Sequence, residues 1–561
     1  MNQGRFLIAI LLSLGVFYIY YTWIVPPPKP PAPSDQTAPS TENGQQSPAM
    51  AEKKDSAPTP DGVSPLFPVP SHPSDSNLED EKVDLEGKEV SAQISAGSAS
   101  LKSWVLKGFH EKSEESSPHI DILNHGGAGN GLYLTTGLKE HDLGGAYRLT
   151  EDTMVDKKRR LVFVWESEAL RIEKEFVLAS EDSSYVVDLA VRFVNKSPDQ
   201  LTVSPRLWIV KDQKKEEVSG GFFSFLKGPP NLTLPAYFAE GKATFDSNWK
   251  KMKEASEITG RISWSGLSDR YFLLGLISRL ESERVSTRYG RKGEQVYTSL
   301  SYGDLALEGG DSSIQKFSAY LGPKRREDLS KLAVSLEKSV DYGWFSFVAI
   351  PLLWLLIFFN KVIGNWVIAI ILLTFVVKLL LHPINVKSMQ SMKAMQKMQP
   401  ELAALKEKYA GNKEKLNMEM MLLFKSHKVN PMGGCLPMVV QMPVYFALYK
   451  VLWNAVELYH APFFWVFKDL SEPDPFMVTP VLLGVMMALQ QKLTPQATVD
   501  PAQKKMMMIM PIMFSGFMIF LPFGLVLYIL VNTIMSVVQQ YMMHRDMSFV
   551  DLLRRLKLLL R

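Results

Sequence analysis

The order of apolar and polar positions divides the chain into segments of different physical kind. Phe6 to Val25 is an unbroken run of 20 apolar or weakly polar residues behind Arg5. At about 1.5 Å per residue it is long enough to cross a hydrocarbon layer of about 30 Å. A cleavable leader is the other reading of such a run. Its length, the interface residues Tyr18, Tyr20, Tyr21 and Trp23, and Pro26, Pro27 and Pro28 where small residues would mark cleavage favour a retained signal anchor over residues 1–25. Arg5 then keeps the N-terminus cytoplasmic and sends the next segment across the membrane. Residues 26–81 hold fourteen prolines among Ser, Asp, Glu and Gln with no periodic apolar face, which predicts a flexible linker.

From 82 to 322 the period is two. Runs such as Arg160–Trp165, Phe176–Leu178, Tyr185–Val194 and Tyr271–Ile277 are rich in β-branched and aromatic residues and are separated by Gly, Asn, Asp, Ser and Pro. They predict a large extracytoplasmic antiparallel β-sandwich. After 322 the pattern turns helical. Leu329, Leu332, Val334 and Leu336 lie among mixed charges between Pro323 and Val340, ahead of Trp344, Phe345 and Phe347. This predicts an amphipathic helix on the outer membrane interface, within an interfacial region 323–361.

The apolar stretch 344–381 is too long for one span, and Asn360, Lys361, Gly364 and Asn365 divide it, leaving a membrane helix at about Asn365–Leu381. Further spans are expected near 436–453, 476–491, 506–521 and 524–542. With the N-terminal anchor the count is six, five of them in a core over 362–542 that includes a cytoplasmic helical hairpin at 384–427, before a basic tail at 543–561. The expected fold is mixed: a polytopic α-helical membrane core with six spans plus the β-sandwich.

Charge tests this topology. Residues 384–430 carry nine lysines against four acidic residues, 492–505 three lysines and one aspartate, and the tail five basic and two acidic residues, whereas 454–475 has one lysine and four acidic residues. Basic segments thus alternate with the side assigned to the cytoplasm, which also returns the C-terminus there. The overall balance of 62 Lys+Arg against 58 Asp+Glu in 561 residues gives no argument for sequence-specific nucleic-acid binding. A single cysteine, Cys435, permits no intramolecular disulfide, so the β-domain must be stable by burial.

Candidate chemistry is sparse outside the membrane. His110, His119, His125 and His141 lack metal-ligand spacing and read as surface or satisfied structural histidines. The Gly126–Gly129 run reads as a turn, lacking the strand and helix of a phosphate loop. In the hairpin, Met389, Met392, Met395 and Met398 recur at intervals of three in the first arm. Met418 and Met421 lie in the second arm, past Gly411 and Asn412. They form either a surface adaptable to different hydrophobic segments or ordinary packing between the arms. Lys378 lies about one turn inside the cytoplasmic boundary of its span, with Thr374 one turn earlier on the same face. It either snorkels to the interface or faces a hydrated groove, with Gln441, Asn532 and the glutamines at 490, 491, 539 and 540 as further polar lining. No covalent catalyst is needed for such a groove, and the chain is not expected to be an enzyme.

With these features the chain resembles the YidC/Oxa/Alb membrane insertase family. The resemblance runs from the anchor to the last span and is most specific at 362–545, in Gly364-Asn365-Trp366, Asn430 to Pro437, Gln441-Met442-Pro443, Phe463, Asp469 to Ser471, Asp474-Pro475, and Phe523 to Tyr528 followed by Asn532. It implies insertion and folding of newly made inner-membrane proteins, alone or beside the Sec translocon. Clients would enter a groove open to cytoplasm and lipid and closed outside, and slide along the third and fifth membrane helices. It further implies a client-receiving cytoplasmic hairpin, contact with lipids and possible contact of basic cytoplasmic surfaces with the ribosome, and neither cofactor nor metal. Lys378 stands where bacterial relatives carry arginine, and Thr374 and Tyr528 match client-contact positions. A Sec-dependent assembly scaffold without autonomous activity is the alternative, and a secondary transporter or channel a remoter one.

Overall fold

The computed structural model describes residues 81–544, apart from 115, 124–129, 139–140, 143–145, 157, 180–184, 214–230, 247–251, 253–254, 280–283, 428, 430–435, 462–468 and 495–500. The expected anchor, the linker through residue 80, His125, Gly126–Gly129, the 430–435 motif, Phe463 and the tail beyond His544 lie outside the described residues.

Two nine-stranded antiparallel sheets share one apolar core. The first runs in the order Lys82–Glu86, Val90–Ser95, Ser100–His110, Gly131–Thr135, Arg206–Asp212, Gln295–Leu300, Val285–Lys292, Ser256–Gly260, with His119–Asp121 added beside Ser100–His110. The second runs Lys242–Phe245, Leu234–Ala239, Ile262–Ser268, Phe272–Ser278, Ser312–Pro323, Val186–Asn195, Leu170–Ala179, Lys158–Glu166, Arg148–Val155. The alternation in sequence explains the pairing: along Val186–Asn195 every second residue, Val187, Leu189, Val191 and Phe193, is buried. This is the expected sandwich.

Close approach of strands is set at one glycine pair. Gly266 lies opposite Gly275, and a Cβ on Gly266 would stand 2.6 Å from the Leu274 carbonyl oxygen. Gly266→Ala is therefore expected to destabilise the β-domain by about 2 kcal/mol, read as a lower urea midpoint of the full chain, because the obstacle is backbone rather than a flexible side chain.

The core also holds an unexpected cation. Lys174 is 2% exposed, and its Nζ donates to the carbonyls of Ser98 (3.3 Å) and Ala99 (3.4 Å) while lying 4.2 Å from the centre of the Tyr147 ring. Burial pushes its ammonium down to about 7. Next to it His141 Nε2 lies 2.6 Å from the Tyr147 hydroxyl and Nδ1 2.8 Å from Asp142, which also accepts from the backbone of Thr136 and Gly137. His141 is thus a satisfied structural histidine, its pKa lowered by burial.

The continuous amphipathic helix expected over 323–340 does not form. Helix α1 covers only Arg326–Ser330, and Ala333 and Ser335 take left-handed backbone angles (φ 56° and 58°) before a 3-10 turn at Leu336–Ser339. The apolar residues that suggested a lipid-facing stripe serve the β-domain instead. Leu329 and Leu336 are fully buried in the shared core, and Trp264 Nε1 donates to the Ser335 carbonyl.

Helices α2 (Ser346–Ile363), α3 (Trp366–Lys397), α4 (Gln399–Lys408), α5 (Lys413–Ser426), α6 (Leu436–Asn454), α7 (Val478–Leu493), α8 (Pro501–Met518) and α9 (Phe523–His544) follow. Among the described residues, Gly343–Ile363, Trp366–Lys397 and Phe523–Met542 are long and apolar enough to cross a membrane. Left-handed Gly364 (φ 74°) ends α2, and the Asn365 side chain caps α3 by accepting from Val367 and Ile368. The hairpin differs from expectation in its first arm. Helix α3 runs unbroken from the apolar segment through Met389, Met392 and Met395, because no breaker but Pro383 intervenes before Met398 and Pro400. The turn then comes at Gly411 and Asn412, whose side chain caps α5, and His427 reaches Glu401 of α4 at 3.1 Å.

Candidate functional site

Three helices each present polar residues four apart, hence on one face: Thr374, Lys378 and His382 on α3, Gln441 and Tyr445 on α6, Tyr528, Asn532 and Ser536 on α9. Packing of the three helices brings these faces together. Lys378 Nζ donates to Ser536 Oγ at 2.5 Å and to Asn532 Oδ1 at 3.4 Å. Asn532 Nδ2 donates to the Tyr445 hydroxyl at 2.8 Å, and Gln441 Nε2 to the Tyr528 hydroxyl at 2.9 Å. The Tyr445 and Tyr528 rings meet edge to face at 5.9 Å, joining the two halves into one ladder from Lys378 to Gln441. Gln539 Nε2, 3.3 Å from His382, extends it by one turn.

Four of the five residues expected at the groove therefore meet. Thr374 shares the face but is fully buried, and its hydroxyl donates to the Ile370 carbonyl within its own helix. Ser536 and Tyr445 were missed, although the spacing of four from Asn532 and from Gln441 would have found them. Both partners of Lys378 are neutral, so the cation is hydrogen-bonded but not neutralised by them. Ser536 accepts from the Lys378 ammonium and gives its own proton to the Asn532 carbonyl, so in this arrangement the lysine does not serve it as a base. The chemistry of the ladder is that of a fixed positive charge with amides and hydroxyls among apolar side chains, able to receive a polar or acidic segment leaving water.

Tyr528 is 0% exposed, so its hydroxyl contact is made without water. Tyr528→Phe is expected to leave the Gln441 amide without this acceptor and to cost about 1–2 kcal/mol of local stability. Faster hydrogen exchange in α6 and α9 checks it.

The hairpin methionines separate into two groups. Met395 and Met398 are buried, and Met389 and Met392 are partly buried. Met418 and Met421 are 58% and 72% exposed and form one face of α5 with Leu422. Packing accounts for the first arm and an open apolar face for the second.

Two family models match: "60Kd inner membrane protein" over residues 358–550 and "YidC periplasmic domain" over 82–355. Relatives named "Membrane protein insertase YidC" from Geobacter sulfurreducens and Geobacter metallireducens are 34% and 31% identical, each match covering 98% of this chain and 99% of the relative. A solved structure described as an active YidC insertase with its first transmembrane domain resolved is 18% identical, with TM-score 0.37, over 83% of this chain and 93% of that one. The matched domains make this an inner-membrane protein with a periplasmic β-domain. With near full-length identity above 30% to proteins of one name, the chain belongs to the YidC family of membrane protein insertases.

Proposed function

We propose that the chain inserts and folds newly made membrane proteins, the Lys378–Gln441 ladder serving as the path for their polar segments. The observation that carries this reading is a cation among apolar helices held by two neutral partners, Ser536 and Asn532. Such an arrangement lowers the cost of bringing a polar or acidic client segment out of water, while burial of its apolar segments in lipid supplies the driving force. No nucleotide, metal or covalent step is required.

Clients approach from the cytoplasm, where the exposed face of Met418, Met421 and Leu422 offers a polarizable surface to diverse apolar segments. The Sec translocon, the lipids and, at the basic cytoplasmic surfaces, the ribosome are the further partners of this reading, with both termini cytoplasmic. Helix α2 then lies along the outer interface, its buried side made by Ala349, Leu352, Leu353 and Leu356 and its exposed side by Phe347, Trp354 and Phe358, with Trp344 exposed in the turn before it.

The test is insertion of a freshly translated two-span client into liposomes containing only this protein, read by protection of its membrane segments from protease. Protection that depends on the protein supports autonomous insertion. No stimulation by correctly oriented, folded protein would leave a Sec-dependent scaffold. In the same assay, the double variant Met418→Ser, Met421→Ser is expected to lower insertion about threefold to tenfold with unchanged thermal stability, since it removes apolar area already in water.

A further inference from the structure

The turn joining strands Ile262–Ser268 and Phe272–Ser278 reaches from the β-domain to the helical core. Asp269 shapes it, its Oδ1 accepting from the backbone N–H groups of Tyr271 (2.8 Å) and Phe272 (2.7 Å). At its tip Arg270 Nε donates to the Trp453 carbonyl at 2.6 Å and Nη2 to the Ser471 carbonyl at 3.4 Å. The guanidinium carbon lies 3.9 Å from the centre of the Trp453 ring and 4.6 Å from that of Tyr271.

These two carbonyls belong to different parts of the core. Trp453 is in the last turn of α6, where a cation complements the exposed carbonyls. Ser471 is in the segment that seats α9: Gly524 N–H donates to the Leu470 carbonyl and Phe523 N–H to that of Glu472. One side chain of the β-domain therefore joins the end of the helix bearing Gln441 and Tyr445 to the segment that seats the helix bearing Tyr528 and Asn532. The rings of Phe109, Tyr271, Phe272 and Tyr459 pack against one another, and the Tyr459 hydroxyl donates to the His110 carbonyl. A planar fork that stacks on an indole while donating in two directions is a task for arginine rather than lysine.

We propose that Arg270 is a positioning residue that locks the periplasmic ends of α6 and α9 together and so keeps the client path shut on that side. The proposal rests on the reading of the Lys378–Gln441 ladder as the client path. It makes the β-domain a fastening for the membrane core through one turn.

The test uses the full chain in vesicles with the β-domain outside, carrying Cys435→Ser and Val526→Cys. Val526 is fully buried one turn into α9. A membrane-impermeant maleimide added outside is expected to label this cysteine slowly, and about tenfold faster when Arg270→Ala is added. A cysteine at Val191, buried in the β-domain, stays unreactive in both backgrounds and reports that the sandwich is folded. Should Arg270→Ala fail to fold, Trp453→Leu removes the stack from the membrane side and is expected to give the same acceleration. Unchanged labelling of Val526→Cys in whichever variant is folded overturns the proposal. Because no client is present, this readout is independent of whether insertion itself is observed.

Discussion

Lys378→Ala is expected to lower insertion of a client with an acidic translocated segment by roughly tenfold to a hundredfold, equivalent to about 1.5–3 kcal/mol for a lost charge-assisted hydrogen bond. Lys378→Arg should retain most of the activity. The reason lies in what surrounds the ammonium: Ser536 Oγ and Asn532 Oδ1 hold it in place without cancelling its charge. Alanine leaves Asn532 and Ser536 facing each other as neutral groups, so the site remains polar but loses its long-range attraction for an anion. Arginine keeps the charge but is longer and planar, and must find a rotamer between the same two acceptors. Comparing two clients that differ only in whether the translocated segment is acidic or neutral separates charge from packing. The alanine variant should lose more of the acidic client. Equal insertion of both clients at the native rate by Lys378→Ala would remove the cation from the mechanism.

The second large effect belongs to the β-domain. Lys174→Met is expected to stabilise it by about 3 kcal/mol at pH 6, with the gain vanishing as pH rises toward 10. Burial lowers the Lys174 pKa from 10.5 to about 7 in the folded chain. Between those values the unfolded chain carries a proton on this amine that the folded chain lacks, so native stability rises with pH across that window. Below about 7 the cost is constant and at its largest, and above 10.5 both states are neutral and it disappears. Methionine fills a similar volume without a titrating group and flattens the profile. Urea denaturation of the detergent-solubilised full chain, followed by protease resistance of the β-domain at several pH values, measures it. A native midpoint that stays level between pH 7 and 10 would contradict the assignment. His141, also held neutral by burial, adds a separate loss of stability under acid conditions.

The sandwich was legible because its strands bury every second side chain, as along Val186–Asn195, and period two survives in any register. The ladder was legible where polar residues interrupt apolar spans, since Lys378, Gln441 and Asn532 are costly there unless they are used. Tyr445 and Ser536 were harder to see because a tyrosine and a serine are unremarkable in a membrane helix, and only their spacing from Gln441 and Asn532 marks them. The segment 323–340 misled for the opposite reason. Its leucines at helical spacing report burial but not against what, and the left-handed angles at Ala333 and Ser335 have no glycine to announce them. Arg270 left no trace at all, because a lone arginine in a turn is ordinary until the two carbonyls it joins, 183 and 201 residues away, are known.

Helix α3 is one rod of 32 residues that carries Lys378 in its apolar part and Met389, Met392 and Met395 in its cytoplasmic part. In a continuous helix each residue turns the chain by about 100°, so the angular phase between cation and methionines is fixed by the number of residues separating them. A single inserted residue after Pro383 would swing the whole hairpin by that angle and redirect the Met418–Met421 face, with every side chain retained. Four inserted residues would bring the heading back to within about 40° while lengthening the rod by about 6 Å. Natural variation in this stretch is therefore expected to tolerate changes of residue far more readily than changes of length.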